Sequence, residues 1–174
     1  MAQHRAAIFD WGGVLMRTED RNFRLAWDAR LGLAPGSVEQ VVHGIPEWRQ
    51  AQRGEISSAA YWQAVAQRLG LAPEQALALR SDFYSGDRLD RELIVLIRKL
   101  RESGIRTGLL SNNTPDLRDE MRALKLEGIF DAVVISAEIG VMKPEPAAYH
   151  AILDAAGAAP QEAILIDDFE ENVA

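Results

Sequence analysis

The chain has 174 residues, 48% of them hydrophobic and 26% charged, with a formal net charge of −7 and no cysteine. That length suits one core domain with a modest insertion, and the composition is ordinary for a soluble globular protein. The acidic balance speaks against a nucleic acid or an anionic membrane as partner, since both select a basic surface, and the lack of cysteine excludes disulfides and thiol catalysis. The apolar stretches fall well short of a membrane span, and Met1 to Arg5 is too short and polar to begin a secretory signal. A soluble, cytoplasmic protein is expected.

Ala6-Ala7-Ile8-Phe9 is a short apolar run that stops at Asp10, with Trp11, Gly12 and Gly13 directly after it. An apolar run bounded by glycine reads as a buried strand feeding a tight turn. In an open α/β sheet ligands bind at the carboxyl ends of strands, so Asp10 falls at the mouth of a site. The glycines let backbone N–H groups approach an anion.

The next stretch reads as wholly helical. Phe23, Trp27 and Leu31 recur every four residues and Gly32 closes that helix. Ser37 is the expected N-cap of a short helix carrying Val38, Val41 and Val42. Pro46 opens a helix through Trp48 that stops at Gly54. Ser57 or Ser58 caps a helix with Trp62, Val65, Ala66 and Leu69, ended by Gly70. Pro73 opens another with Leu77, Arg80, Phe83 and Tyr84, broken at Ser85-Gly86-Asp87. No strand is expected between Leu15 and Gly86. Trp27, Trp48 and Trp62 belong to the core of this small bundle.

Helix and strand then alternate. Leu89 to Ser103 is a helix with Leu93, Leu96, Ile97 and Leu100 on its apolar face. Ile105 to Leu110 is a strand that runs into Ser111-Asn112-Asn113. Thr114-Pro115 starts a helix with Leu117, Met121 and Leu124. Ala132 to Ile135 is a strand, Pro144 and Pro146 precede a helix through Ala156, and Ala163 to Ile166 is a strand ending in Asp167-Asp168. Such alternation implies a parallel sheet with right-handed crossovers. The fold class is therefore α/β, with residues 1–15 and 88–174 forming the core and 16–87 an inserted helical cap.

In a parallel sheet Asp10, Ser111-Asn112 and Asp167-Asp168 leave by the same edge, and Lys143 lies within reach of it. Taken singly these are ordinary residues: Asp pairs cap helices, Ser and Asn make turns, and lysines sit on surfaces. Together they make a carboxylate cluster, a hydroxyl and an ammonium around glycine-rich backbone. Such oxygen ligands suit Mg²⁺, which takes one or two carboxylates plus substrate phosphate. Lys143 and Ser111 suit the remaining phosphate oxygens, and Asp10 is the candidate nucleophile.

FDWGGVL, LLSNN, KPEP and LIDDFEENVA, in that order, resemble the four motifs of the haloacid dehalogenase (HAD) superfamily. The spacing from Asp10 to Ser111 leaves room for the helical cap of its subfamily I, and AQRGEISSAAYW, residues 51–62, is similar to the cap of the branch of glucose-1-phosphatase-like and epoxide-hydrolase N-terminal-domain-like members. The resemblance implies a three-layer Rossmann-like core and a Mg²⁺-dependent phosphatase of a small phosphorylated metabolite, working through an aspartyl-phosphate. It makes Asp10 the nucleophile and Ser111 and Lys143 the phosphoryl holders. Asp168 becomes a direct metal ligand, Asp167 one acting through water, and the Gly12 carbonyl a third group facing the metal. Trp11, Gly12 and Asn112 complete the expected phosphate site.

One position departs from the pattern: most family phosphatases carry a second Asp two residues after the nucleophile, and here it is Gly12. Proton delivery to the leaving group is left unassigned. The alternatives are a 2-haloacid dehalogenase, which needs no metal, and a catalytically silent binding protein. Glu170 to Ala174 reads as the first turn of a helix, too short to stand alone. Ala163 to Ile166 would then be an apolar edge strand, which implies a longer natural chain, or self-association through that edge.

Overall fold

A computed structural model describes residues 4–173; Met1 to Gln3 and Ala174, the last residue of the expected Glu170 to Ala174 turn, lie outside the described residues. In chain order the elements are β1 (Ala6–Phe9), β2 (Met16–Thr18), α1 (Asn22–Arg30), α2 (Ser37–Gly44), α3 (Pro46–Gln52), α4 (Ser58–Leu69), α5 (Pro73–Phe83) and β3 (Asp87–Leu89). There follow α6 (Arg91–Glu102), β4 (Arg106–Ser111), α7 (Leu117–Ala123), β5 (Ala132–Ile135), α8 (Ser136–Ile139), α9 (Pro146–Ala156), a 3₁₀ turn (Pro160–Glu162), β6 (Ala163–Ile166) and α10 (Glu170–Val173). The chain divides into two compact units. The first runs up to Arg17 and resumes at Leu89, and it also takes in Gln52–Gly54; the second is Thr18–Ala51 with Glu55–Arg88.

The first unit is an α/β fold around a four-stranded parallel sheet in the order β5-β4-β1-β6. Successive side chains of a strand point to opposite faces. Ala7 and Phe9 of β1 accordingly pack with Ile94 and Ile97 of α6 and Leu117 and Met121 of α7. Ala6 and Ile8 pack with Ala148, Ile152 and Ala156 of α9. Helices thus cover both faces, as a parallel sheet requires. Asp90 caps α6 by accepting the Leu93 N–H at 2.9 Å, and Pro146 opens α9. Among the described residues β6 pairs only with β1, and its Ile164 is half exposed.

The second unit is helical around Trp27, Val38, Val42, Tyr61, Trp62, Leu79 and Phe83, with Trp48 partly buried against them. Arg24 is buried there beneath Phe83, its guanidinium carbon 4.2 Å from the ring centroid, and is paired with Glu39 and Asp87. Ser57, rather than Ser58, caps α4, and Gly70 ends it in the left-handed conformation.

Several expectations need correction. Ser37 is the first residue of α2 and not its cap. The buried carboxylate of Asp28 does that work, accepting the Gly36 and Val38 N–H groups at 2.7 and 2.8 Å. β2 is a strand inside the stretch expected to have none; three residues are too few to show a period, and their pairing with β3 makes them a strand. Leu96 and Leu77 are exposed, because the buried faces centre on Ile94 and Ile97 in α6 and on Leu79 and Phe83, one helical turn apart, in α5.

Candidate active site

The register sets the site. Phe9 is level with Leu109 of β4 and Ile166 of β6, so Asp10, Ser111 and Asp167 all emerge at the carboxyl edge of the sheet. Asp10 extends the ladder by one bond, its N–H donating to Ile166 O at 2.9 Å. Its side chain is buried, and Oδ1 accepts the Trp11 N–H at 2.7 Å.

Lys143, also buried, places its ammonium between two carboxylates, 2.9 Å from Asp10 Oδ1 and 2.5 Å from Asp167 Oδ2. The other oxygen of Asp167 accepts the Phe169 N–H and the Asn172 amide, each at 2.9 Å. Tyr149 donates to the carbonyl of Asn172 at 2.8 Å, which ties this short last turn to α9. The two carboxylates respond differently. Burial raises Asp10 above the ordinary carboxylate range, although Lys143 pulls it down and Asp167 adds to the rise. Burial also pushes Asp167 up, but the hydrogen bonds from Lys143, Asn172 and Phe169 outweigh it and hold that group low.

The turn after Asp10 closes on itself. Leu15 and Met16 donate to the Trp11 carbonyl at 2.9 and 2.8 Å, and the Gly13 N–H donates to Met16 O at 2.9 Å. Gly13 has φ +73, and the Asp168 carboxylate occupies the space a Cβ there would need. Asp10, Asp167 and Asp168 each offer an oxygen, all within 4.8 Å of one another. Three hard oxygen donors around one point, with a single ammonium against three negative charges, form a set that suits a hard divalent cation.

Of the expected site residues, Asp10, Asp167, Asp168 and Lys143 come together in this cluster. Gly12 lies exposed in the turn beside it, and Ser111 is buried at the end of β4 on the same edge. Two take other roles. The Trp11 indole is buried in the core beneath the sheet and offers no platform; only its backbone faces Asp10. The Asn112 side chain is spent on Lys143, accepting its N–H at 2.8 Å and donating to its carbonyl at 2.9 Å. Both ends of its amide are thus taken up by the backbone of the lysine. Asn172, Ser136 and Gln52 were not anticipated. Asn172 follows Asp167 in the same short motif and Gln52 falls in the AQRGEISSAAYW stretch, whereas nothing in the sequence marks Ser136.

A profile of the haloacid dehalogenase-like hydrolases matches residues 4–174. The chain is 28% identical over 194 residues to bifunctional epoxide hydrolase 2 of Rattus norvegicus, covering 97% of this chain and 34% of that one. It is 36% identical over 103 residues to a phosphoserine phosphatase of Thermus thermophilus, covering 57% and 41%. It therefore spans about a third to two fifths of the length of these relatives. Its fold is similar to that of a HAD-family enzyme from Bacteroides thetaiotaomicron, solved with magnesium and inorganic phosphate. The TM-score is 0.76 at 23% identity, over 97% of this chain and 87% of that one.

Proposed function

The chain belongs to the haloacid dehalogenase-like hydrolases, and we propose that this hydrolase cleaves a small phosphate monoester with the help of Mg²⁺, through an aspartyl-phosphate on Asp10. The observation that carries the reading is the cluster of Asp10, Asp167 and Asp168 around the buried Lys143. A phosphate dianion would be repelled by three carboxylates and one ammonium, so a further cation is required before it can enter. The donor set fits Mg²⁺, which Asp10 and Asp168 would hold directly and Asp167 through water. Bound there, the ion would neutralise the carboxylates and polarise the phosphoryl oxygens. The magnesium and phosphate of the Bacteroides enzyme and the phosphatase activity named for the Thermus relative support the same reading.

The protein's own groups then divide the work. Asp10 Oδ1 is held by the Trp11 N–H and by Lys143, which leaves Oδ2 to attack phosphorus. The ester P–O bond breaks and the phosphoryl group is carried on Asp10. Lys143 and Ser111 hold its oxygens. The departing oxygen takes its proton from solvent, because Gly12 offers none. Water next attacks the phosphorus of the acyl phosphate, the bond to Asp10 breaks, the carboxylate is regenerated, and inorganic phosphate leaves with the oxygen and protons of that water. A metal-free dehalogenation would leave Asp168 without a task.

Phosphate release over a panel of small phosphate esters, with and without Mg²⁺, tests the proposal. Activity that needs the ion and disappears in Asp10→Asn is expected. Full phosphate release in excess EDTA would overturn the part given to Mg²⁺, and halide release from a 2-haloacid with no phosphate release would overturn the whole reading in favour of the dehalogenase.

A further inference from the structure

Residues 52–54 lie in the middle of the helical stretch of the sequence, yet they belong to the first unit. Their contacts there are specific. Gln52 Nε2 donates to the carbonyl of Asn112 at 2.7 Å, across 60 residues of sequence. The Gln52 carbonyl accepts from Ser136 Oγ at 2.6 Å, and Ser136 Oγ in turn accepts the Asn113 N–H at 3.0 Å. A hydroxyl has one proton, and the 2.6 Å bond takes it. Gln52 is thus gripped at both ends of the residue. Arg53 pairs with Glu145 at 2.5 Å, two residues past the lysine. Gly54, at φ +70, comes so close to Ala137 that a Cβ would overlap its carbonyl.

Asn112 is the hinge of this arrangement. Its backbone carbonyl is held by Gln52, and its side chain holds both backbone groups of Lys143. Only an amide NH₂ can face the Asn112 carbonyl, so the orientation of Gln52 is fixed by chemistry. We infer that Gln52, seated by Ser136, is a positioning residue for Lys143, acting through Asn112 to keep the ammonium between Asp10 and Asp167. This rests on the reading of Lys143 as a phosphoryl holder. A misplaced point charge loses contact with its anion steeply in a water-poor site, so the loss should fall on phosphate binding more than on folding.

The test uses the full chain with Gln52→Met, which keeps shape and loses the donor, Gln52→Glu, which sets an acceptor against the Asn112 carbonyl, and Gln52→Lys, which restores a long donor. Inhibition by inorganic phosphate, KM and kcat, melting temperature and backbone amide exchange are measured. Gln52→Met should weaken inhibition by inorganic phosphate and raise KM by about five- to tenfold, while Tm falls only the few degrees that one hydrogen bond is worth. Gln52→Glu should lose more and Gln52→Lys less. The effects of Gln52→Met and Asn112→Ala should overlap in the double variant and not multiply. Phosphate inhibition and KM at wild-type values in Gln52→Met, or fully multiplicative losses, would overturn the inference. If Gln52→Met does not fold, the order of Gln52→Lys over Gln52→Glu decides, and equal values overturn it. If the wild-type chain neither cleaves phosphate esters nor binds phosphate, the phosphatase reading fails. Amide exchange then decides this one, with faster exchange at Asn113 and Lys143 in Gln52→Met supporting it and unchanged exchange refuting it.

Discussion

Gly13→Ala separates the cost of a backbone from the cost of a site. Gly13 sits at φ +73, where a residue with a Cβ costs roughly 1–2 kcal/mol. Its Cβ would also overlap the Asp168 carboxylate. Even the farther oxygen, Oδ1, would lie at 2.7 Å and must retreat by about 0.7 Å to reach the 3.4 Å of ordinary contact. Asp168 is exposed and can swing away cheaply, so the stability cost stays near the backbone value. For a chain of this length that lowers Tm by roughly 2–8 °C. The metal site is less forgiving. Mg²⁺ demands near-ideal octahedral geometry, and ligand distances hold to about 0.2 Å, so a retreat of about 0.7 Å removes the ligand. Gly70→Ala is the control, since Gly70 has φ +64 and open space where the Cβ would go. The two variants should lose similar Tm in calorimetry. Only Gly13→Ala should raise the Mg²⁺ concentration for half-maximal phosphate release, by about tenfold or more. Equal Mg²⁺ activation in both variants would refute the assignment of Asp168 to the metal.

Gly12 has open space around its missing Cβ and no left-handed backbone to strain. Gly12→Asp should therefore fold, and by supplying a proton it should raise kcat on alkyl phosphates about tenfold or more while changing p-nitrophenyl phosphate little. Burial raises Asp10, so in the metal-free chain its carboxyl should titrate above the ordinary carboxylate value of 3.8, read from its carbon-13 chemical shift. Lys143→Met removes the ammonium that pulls Asp10 down and should move that titration higher still. Burial pushes Asp131 upward, but the Thr107 N–H and Arg101 outweigh it and hold the group low. A lowered native value stabilises the fold when the group is ionised, an effect present above about pH 4 and lost as pH falls through that lower value. Asp131→Asn should thus cost about 1–2 kcal/mol in urea melts at pH 7 and much less near pH 3.

The sheet was legible because its strands end in short apolar runs stopped by a polar residue, and β1, β4 and β5 are largely buried on both faces. The ends of β1, β4 and β6 at Asp10, Ser111 and Asp167 fall within a residue of where those runs stop. Parallel pairing then does the rest, since it sends every such end to one edge. Short pieces were not legible. β2 and β3 have three residues each and α8 has four, and no period can be read in so few. The cap of α2 was missed for a different reason: Asp28 reaches it from another helix, and local spacing favoured Ser37.

The site divides along the same line. Asp10, Lys143, Asp167 and Asp168 could be read because each bears a charge beside a strand end or a Pro-marked turn, and clustered charge implies chemistry. Trp11 was read into the site because it follows the proposed nucleophile, whereas the turn after β1 packs its indole into the core. Asn112 was read as a phosphate ligand because an amide at a strand end suits one, and its side chain instead matches a backbone N–H and C=O. Gln52 lies in the AQRGEISSAAYW stretch that resembles a family cap, yet nothing there marks its contact with Asn112. Its part depends on one donor meeting one carbonyl 60 residues away. A hydrogen bond of that kind has no periodicity, no charge and no preferred spacing, so only coordinates reveal it. Positioning groups in this protein are therefore the least legible class, since they act on backbone, and backbone is the same at every residue.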